Sequence, residues 1–183
     1  MFEEILSKIA SSLRKRNIPH MIIGGQAVLL YGEPRLTRDI DITLGVNIDH
    51  IGEVLAAAAE AALKPIPEDI GSFVRQTMVL PLIDEPSGIR VDLIFSFTPY
   101  ETQAIGRAKR VLILGEEVHF ASPEDLIIHK IFAGRPRDLE DARIVLLKNP
   151  DIDNTYIRGW LVEFDAVSDE KKFLRTFEEI LKG

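Results

Sequence analysis

The hydrophobic pattern of the chain changes period near residue 121, and this change constrains the fold more than any other feature. Before that point, short apolar runs with strand spacing alternate with segments of helical spacing, whereas only helical spacing follows it. We therefore predict an α/β (α+β) core over residues 1–121 and a helical C-terminal segment over residues 122–183 that packs on it. A chain of 183 residues suits one compact domain, so both parts can belong to a single domain.

Apolar spacing and turn residues predict most of the individual elements. We expect an amphipathic helix within residues 1–17, a helix over Asp49–Leu63, a loop over Lys64–Gly71, a hairpin of strands Val74–Ile83 and Ile89–Phe95, and a smaller hairpin of Lys109–Leu114 and Val118–Phe120. Helices should follow at about 122–133, 136–148, 153–164 and 169–182. The first of these four begins with a capping serine, Ser122, followed by a proline at the first helical position.

Two glycines join a short apolar run to a helical pattern near the N-terminus. His20–Ile23 is typical of a strand, Gly24-Gly25 follows it directly, and Gln26–Tyr31 completes two helical turns. Glycine permits close approach of the backbone, and the first turn of a helix offers unpaired N–H groups and a partial positive charge. The pair is therefore either a candidate phosphate-binding turn or a tight turn that merely needs glycine.

A strand with alternating carboxylates follows this unit. In Asp39–Leu44, residues two apart project from the same face, so Asp39 and Asp41 should point the same way. Two carboxylates in one small volume repel each other, and one keeps its proton unless a cation lies between them. Mg²⁺ is the natural candidate, because it prefers carboxylates together with substrate phosphate oxygens. The alternative is a pair of exposed acids on an edge strand.

The same tripeptide occurs a second time, in Asp151-Ile152-Asp153. This copy follows Pro150, has no strand context and has no glycine turn upstream. We interpret it as a loop that caps a helix.

Asp92 lies within the apolar strand Ile89–Phe95, where a buried carboxylate without a partner would be costly. Arg90, two residues earlier on the same face, is one candidate partner, and a metal ion shared with Asp39 and Asp41 is another.

Composition excludes several classes of protein and of site. Cysteine is absent, so any metal must bind carboxylates or the four histidines, which favours hard cations. A net charge of −7 argues against a general nucleic-acid coat protein. The first residues lack the order of a secretory signal, and no stretch approaches the roughly 18 apolar residues that span a bilayer, so we expect a cytoplasmic protein.

Three motifs together resemble the DNA polymerase β-like nucleotidyltransferase superfamily. They are Gly24-Gly25-Gln26-Ala27, then Arg35-Leu36-Thr37-Arg38-Asp39-Ile40-Asp41, then Asp92. Ser122–Leu126 through Lys130, and Arg135–Asp141, are similar to the AbiEii-type branch, whose members include toxins of toxin and antitoxin pairs. The resemblance covers roughly residues 18–147 and implies a mixed sheet flanked by helices.

The resemblance also implies roles for individual residues. Gly24 and Gly25 would hold a nucleoside triphosphate, while Asp39 and Asp41 would bind two Mg²⁺ ions, with Mn²⁺ as a substitute. Asp92 would complete one metal site and help to activate the attacking hydroxyl.

Further along the chain, the resemblance implies that Arg38 and Lys130 steady the phosphates and that Asp138 and Asp141 support Lys130 or the nucleotide. Alternatively, Lys130 is a solvated helix lysine and the two acids are charges at a helix start. His129 is interpreted as structural, because the other histidines have no matching spacing.

The implied activity is transfer of a nucleoside monophosphate from a nucleoside triphosphate to a hydroxyl acceptor, with release of pyrophosphate. The acceptor could be an RNA or tRNA end, a protein or a small molecule such as an antibiotic, and an antitoxin-type protein is a candidate partner. The competing class is an inactive nucleotide-binding or regulatory module with the same fold. Two departures from the branch are Arg137, where lysine is usual, and a shorter helical tail, which leaves the acceptor open.

Overall fold

The computed structural model describes residues 1–170 and 172–182. Within them, the chain forms a mixed sheet and α-helices. The strands are β1 His20–Ile23, β2 Asp39–Leu44, β3 Lys64–Pro65, β4 Val79–Asp84, β5 Ile89–Phe95, β6 Lys109–Ile113 and β7 Glu116–Phe120. The helices are α1 Phe2–Lys15, α2 Gly24–Tyr31, α3 Ile51–Glu60, α4 Ile70–Thr77, α5 Pro99–Gly106, α6 Pro123–Ala133, α7 Pro136–Lys148, α8 Asn154–Val167 and α9 Phe173–Leu181.

The sheet has the strand order β3-β4-β5-β2-β1-β7-β6, so β2 is an interior strand. It pairs with β5 in parallel and with β1 antiparallel. Alternation along β2 buries Ile40 and Ile42 completely on one face and leaves Asp39 and Asp41 on the other. The α/β class with a mixed sheet is confirmed, and the alternative of an edge strand for these acids is wrong.

The region after Gly71 differs from its prediction. The predicted strand Val74–Ile83 is half helical, because Ile70–Thr77 forms α4 and the strand begins at Val79. The side chain of Asp69 accepts a hydrogen bond from the Ser72 amide and caps this helix, which ends at Met78 in the left-handed region. The apolar run therefore contains a helix end as well as a strand.

Three smaller differences follow from turn chemistry. The predicted loop Lys64–Gly71 contains the two residues of β3, and the predicted helix Asp49–Leu63 divides into a 3₁₀ turn, Ile48–His50, and α3. Helix α5 was not predicted, although Thr98 caps it and Pro99 begins it, the same signal that predicted α6.

The C-terminal helices agree closely with their prediction. Asp153 caps α8 by accepting a hydrogen bond from the Tyr156 amide at 3.0 Å, which confirms the interpretation of the second Asp-Ile-Asp copy. The predicted helix 169–182 begins only at Phe173. Lys171 within that range, and Gly183 of the predicted segment 122–183, lie outside the described residues. No helix in the described part of the chain has the length and apolarity needed to cross a membrane.

Candidate active site

The register of the sheet places the predicted acids side by side. Asp41 of β2 is the Cα partner of Asp92 of β5, and Asp39 precedes Asp41 on the same face. All three side chains line a cavity of about 950 Å³, hereafter the carboxylate cavity. The structure also places Gly24, Gly25, Arg38 and Lys130 in its wall, so it brings every predicted site residue to one place.

Close contact with Asp41 explains why residue 24 is glycine. β1 pairs with β2 so that Ile23 lies opposite Asp41, which brings the following residue, Gly24, against the carboxylate. A Cβ atom on Gly24 would lie 2.1 Å from Asp41 Oδ2, and the φ angle of this residue is +62°. Both the contact and the backbone conformation require glycine.

Gly25 is enclosed by the loop that leads into β2. A Cβ atom there would lie 2.4 Å from Thr37 Cγ2, and Gln26 Nε2 donates a hydrogen bond of 2.9 Å to Thr37 Oγ1. The loop is thereby fixed against the first turn of α2. The amides of that turn begin a helix and lack intrahelical acceptors, which leaves them available to an anion.

The surroundings of Asp41 disfavour the ionised form of its carboxyl group. Burial, then the neighbouring charges of Asp39 and Asp92, raise the pKa of Asp41 to about 6, against a smaller opposing effect of Lys130 and Arg135. Within residues 1–170 and 172–182, neither Asp39 nor Asp41 forms an ion pair or a side-chain hydrogen bond. A cation between these groups would relieve their repulsion, so the residues present fit a divalent ion.

The protein alone does not form a closed metal cage here. No three histidine or carboxylate side chains of the described residues are arranged to enclose an ion. Mg²⁺ does not require such a cage, since it usually binds one or two carboxylates, water and substrate phosphates. Arg90 Nη2 lies 3.3 Å from Asp92 Oδ1, but this pair is largely exposed and contributes little. The contact with Arg90 is therefore real, and it leaves Asp92 accessible from the cavity.

Lys130 is buried and held between two acids. Its Nζ lies 2.7 Å from Asp138 Oδ1 and 2.9 Å from Asp141 Oδ2. Arg35 contacts Asp141 at 3.0 Å, and Arg135 contacts Asp138 at 2.8 Å. The interpretation of Lys130 as a solvated helix lysine is wrong, and the two acids do support it.

Several cavity residues were not predicted from sequence. Arg35, Arg135 and Arg137 line the carboxylate cavity with Arg38 and Lys130, so its wall is rich in cations although the chain is acidic. All three belong to the motifs that carry the family resemblance, and their position beside Asp39 and Asp138 in the sequence is the signal that could have found them. Cations and unpaired amides around a carboxylate group suit a polyphosphate bound with divalent ions.

His129 lines the same cavity, and its ring packs within the wall. Burial lowers the pKa of its imidazole, and the ring packs against Tyr100 with centroids 5.6 Å apart. It stays neutral at physiological pH.

The protein-family model for a nucleotidyltransferase of unknown function, DUF6036, matches residues 1–177. The chain belongs to the DUF6036 family. No curated protein matches it in sequence. The family and the fold support an enzyme of the nucleotidyltransferase kind.

Solved structures share the fold of this DUF6036 protein at low sequence identity. The solution structure of the antibiotic-resistance factor ANT(2″)-Ia is 18% identical with a TM-score of 0.56, and the match covers 97% of this chain and 91% of that one. An antigenic nucleotidyltransferase-like protein from Paracoccidioides brasiliensis is 18% identical with a TM-score of 0.55, over 95% and 92%. The lincosamide antibiotic adenylyltransferase LnuA is 17% identical with a TM-score of 0.52, over 77% and 94%. The nucleotidyltransferase resemblance is thus confirmed, and the AbiEii-type branch stays a prediction.

Proposed function

We propose that this DUF6036 protein is a metal-dependent nucleotidyltransferase that moves a nucleoside monophosphate from a nucleoside triphosphate to a hydroxyl acceptor. One observation supports this most: three carboxylates, a glycine turn at a helix start and a set of cations converge on one cavity of about 950 Å³. A cavity of that size accommodates a nucleotide together with part of an acceptor.

Each group of residues has a defined task in the proposed reaction. Amides of Gly24 and Gly25 donate hydrogen bonds to the phosphates, and Arg38 and Lys130 attract them. Asp39 and Asp41 would hold the divalent ions and Asp92 would complete one metal site. Bound ions would stabilise the charge that develops on the oxygens of an in-line displacement.

Asp92 faces the same space and accepts the proton of the acceptor hydroxyl. Asp92 on β5 is the Cα partner of Asp41 on β2, so the proton acceptor is adjacent to the metal-binding pair. The acceptor oxygen bonds to the α-phosphorus while the bond from that phosphorus to the bridging oxygen breaks, which releases pyrophosphate.

Label transfer tests this proposal directly. The protein is incubated with each α-labelled nucleoside triphosphate, Mg²⁺ or Mn²⁺, and pooled tRNA, protein or small-molecule fractions. A double variant, Asp39→Asn with Asp41→Asn, should lose transfer, while the matched double variant Asp151→Asn with Asp153→Asn should retain it. Equal transfer by the first variant would refute the proposal, and triphosphate binding without any transfer would favour the inactive nucleotide-binding module.

The finer assignments are separate predictions. An AbiEii-type toxin in the cytoplasm, with an antitoxin-type partner, should arrest growth when expressed alone. Arrest by the native chain but not by Asp41→Asn would support that branch, and normal growth with both would count against it.

A further inference from the structure

A second cavity of about 420 Å³ adjoins the carboxylate cavity on the same face of the sheet. The two share Ile23, Ile94, His129 and Phe132 in their walls. We call the smaller one the aromatic cavity, and its lining is completed by Thr43, Ser96, Thr98, Tyr100, Glu101, Ile128 and Phe164.

The register of the sheet fixes how the two cavities are related. Thr43 and Ile94 are Cα partners on β2 and β5, two residues beyond the partners Asp41 and Asp92 and on the same face. Two residues of strand correspond to about 7 Å. A molecule of modest size lying over Thr43 and Ile94 therefore reaches the carboxylate cavity with one end.

Two buried polar atoms border the aromatic cavity without partners. Thr43 Oγ1 and His129 Nε2 have no hydrogen bond within residues 1–170 and 172–182, although Thr43 is 1% exposed. Buried polar groups of native proteins nearly always have a partner, so water or a polar group of a ligand would have to supply one for each of these atoms. The remaining wall is mostly apolar, which limits that ligand to few polar groups.

The charges around the aromatic cavity select against phosphate-bearing ligands. Glu101 is its sole carboxylate, and neither lysine nor arginine of the described residues lines it. Burial lowers the pKa of His129, so this ring adds no positive charge near neutral pH. An RNA end would bring backbone phosphates toward Glu101 with no cation to balance them.

The aromatic side chains favour a ring or an amine instead. Tyr100 packs edge-on against Phe164 with ring centroids 5.2 Å apart, and Phe132 packs edge-on against Phe164 at 5.7 Å. Such rings stack on apolar rings of a ligand and attract an ammonium group, which Glu101 would also pair with.

We propose that the aromatic cavity is the acceptor site, and that the acceptor is a small alcohol with an apolar ring body and an amine, not a nucleic acid. This inference rests on the proposed function. The alcohol oxygen bonds to the α-phosphorus of the nucleoside triphosphate, its proton passes to Asp92, and pyrophosphate leaves. Two structural neighbours were solved with small molecules, LnuA with lincomycin and ANT(2″)-Ia with adenylyl-2″-tobramycin.

Fluorescence of Trp160 provides a binding assay that does not depend on turnover. It is the sole tryptophan of the chain, and its ring lies 5.1 Å from that of Tyr100 in the cavity wall. The full-length protein, without nucleotide or metal, is titrated with 4-(aminomethyl)cyclohexylmethanol, with cyclohexylmethanol and with glycerol 3-phosphate. We expect the two cyclic alcohols to change the emission and glycerol 3-phosphate to leave it unchanged.

Three variants test whether the change in Trp160 emission comes from binding in the aromatic cavity. Ser96→Leu fills a half-buried wall position outside the carboxylate cavity. It should lower the affinity for both cyclic alcohols by roughly tenfold or more. Glu101→Gln should lower the affinity only for the amine-bearing alcohol, 4-(aminomethyl)cyclohexylmethanol, by roughly threefold to tenfold. Ser11→Leu on α1 lines neither cavity and is the matched control. Unchanged affinity for a fluorescent nucleoside triphosphate shows that Ser96→Leu is folded.

The outcomes separate the two proposals. Cyclic alcohols that bind equally to Ser96→Leu and the native chain, or glycerol 3-phosphate that binds more tightly than they do, would overturn the acceptor site. Label transfer to RNA that survives Ser96→Leu would also overturn it while leaving the nucleotidyltransferase proposal intact. Cavity binding that Ser96→Leu abolishes, with no label transfer to any acceptor, would show a ligand-binding cavity and refute both the enzyme and the acceptor role.

Discussion

The chain contains the tripeptide Asp-Ile-Asp twice, and the two copies have different structures. Asp39-Ile40-Asp41 begins an interior strand beside Gly24, whereas Asp151-Ile152-Asp153 lies in a loop where Asp153 caps α8. In the first copy the carboxylates face a cavity with Asp92. In the second, the capping carboxylate accepts a hydrogen bond from a backbone amide.

This difference shows that the spacing of two acids alone does not determine what surrounds them. In the pair on β2, the ionised form of Asp41 is disfavoured by burial, by Asp39 and by Asp92, which the parallel strand β5 places opposite Asp41. In the pair before α8, Asp153 already has a partner, because the amides and the partial positive charge at the helix start stabilise its carboxylate. The role proposed for Asp39 and Asp41 therefore depends on the neighbouring strand and on the glycine turn.

We expect the largest difference in transfer rate between a variant of the first Asp-Ile-Asp copy and a variant of the second. Asp41→Asn should lower the rate of label transfer on the order of 10³-fold, because it removes a charge that holds the ions around the phosphates. Asp153→Asn should change the rate less than twofold, since asparagine also caps a helix. Initial rates at saturating Mg²⁺ measure both, and similar losses in the two variants would contradict the distinction.

The glycine turn should be the next most sensitive feature. Gly24→Ala places a methyl group 2.1 Å from Asp41 Oδ2, so the carboxylate must move, and we expect roughly a 10²-fold loss of transfer. Gly159→Ala in α8 is the matched control, because nothing lies within 4 Å of its added Cβ. It should keep full activity and stabilise the helix by up to about 1 kcal/mol. Full activity in Gly24→Ala would show that the close contact is irrelevant.

The raised pKa of Asp41 should appear in the dependence of stability on pH. A carboxyl whose pKa rises on folding binds its proton more tightly in the folded state, so its stabilising effect is complete below about pH 4 and is lost as the pH rises through about 6. Without metal at pH 7, Asp41→Asn should be more stable than the native chain by roughly 2 kcal/mol. Urea unfolding at pH 4 and pH 7 measures this, with the advantage vanishing at the lower pH.

Added Mg²⁺ and a nucleoside triphosphate should reverse that ranking, because they stabilise only a chain that can bind them. An equal response of both proteins would mean that Asp41 does not hold the ion.

Loss of the helix cap should give the smallest effect. Asp153→Ala removes the acceptor for the Tyr156 amide and should lower the free energy of unfolding by about 1 kcal/mol without changing the transfer rate. Chemical denaturation and the label assay together measure this. A loss of transfer beyond the loss of folded protein would place the second copy within the active site.

Local signals accounted for the part of the site near β1 and β2. The apolar run, the glycine pair and the alternation at Asp39–Leu44 each span few residues, and their periods predict strand, turn and strand correctly. Asp92 was a candidate because a carboxylate in an apolar strand needs a partner, and the family resemblance added Lys130. Parallel pairing of β2 with β5 places Asp92 beside Asp41, and α6 places Lys130 in the wall of the same cavity.

Other features depend on contacts that sequence periodicity does not encode. The hydrogen bond from Gln26 to Thr37 and the ion pair of Arg35 with Asp141 join residues distant in sequence, so no local pattern predicts them. Helix α4 was missed because its apolar residues run directly into those of β4. The aromatic cavity combines side chains from several elements and became visible only in the folded chain.

The proposed reaction requires divalent ions bound among Asp39, Asp41 and Asp92 beside the glycine turn. Crystals grown with Mn²⁺ and a non-hydrolysable nucleoside triphosphate, measured for anomalous scattering at the manganese edge, locate such ions directly. We expect manganese peaks in contact with Asp39, Asp41 and Asp92 and with the phosphates, and none at Asp151 or Asp153. A bound nucleotide with no peak at the three acids would contradict the central claim.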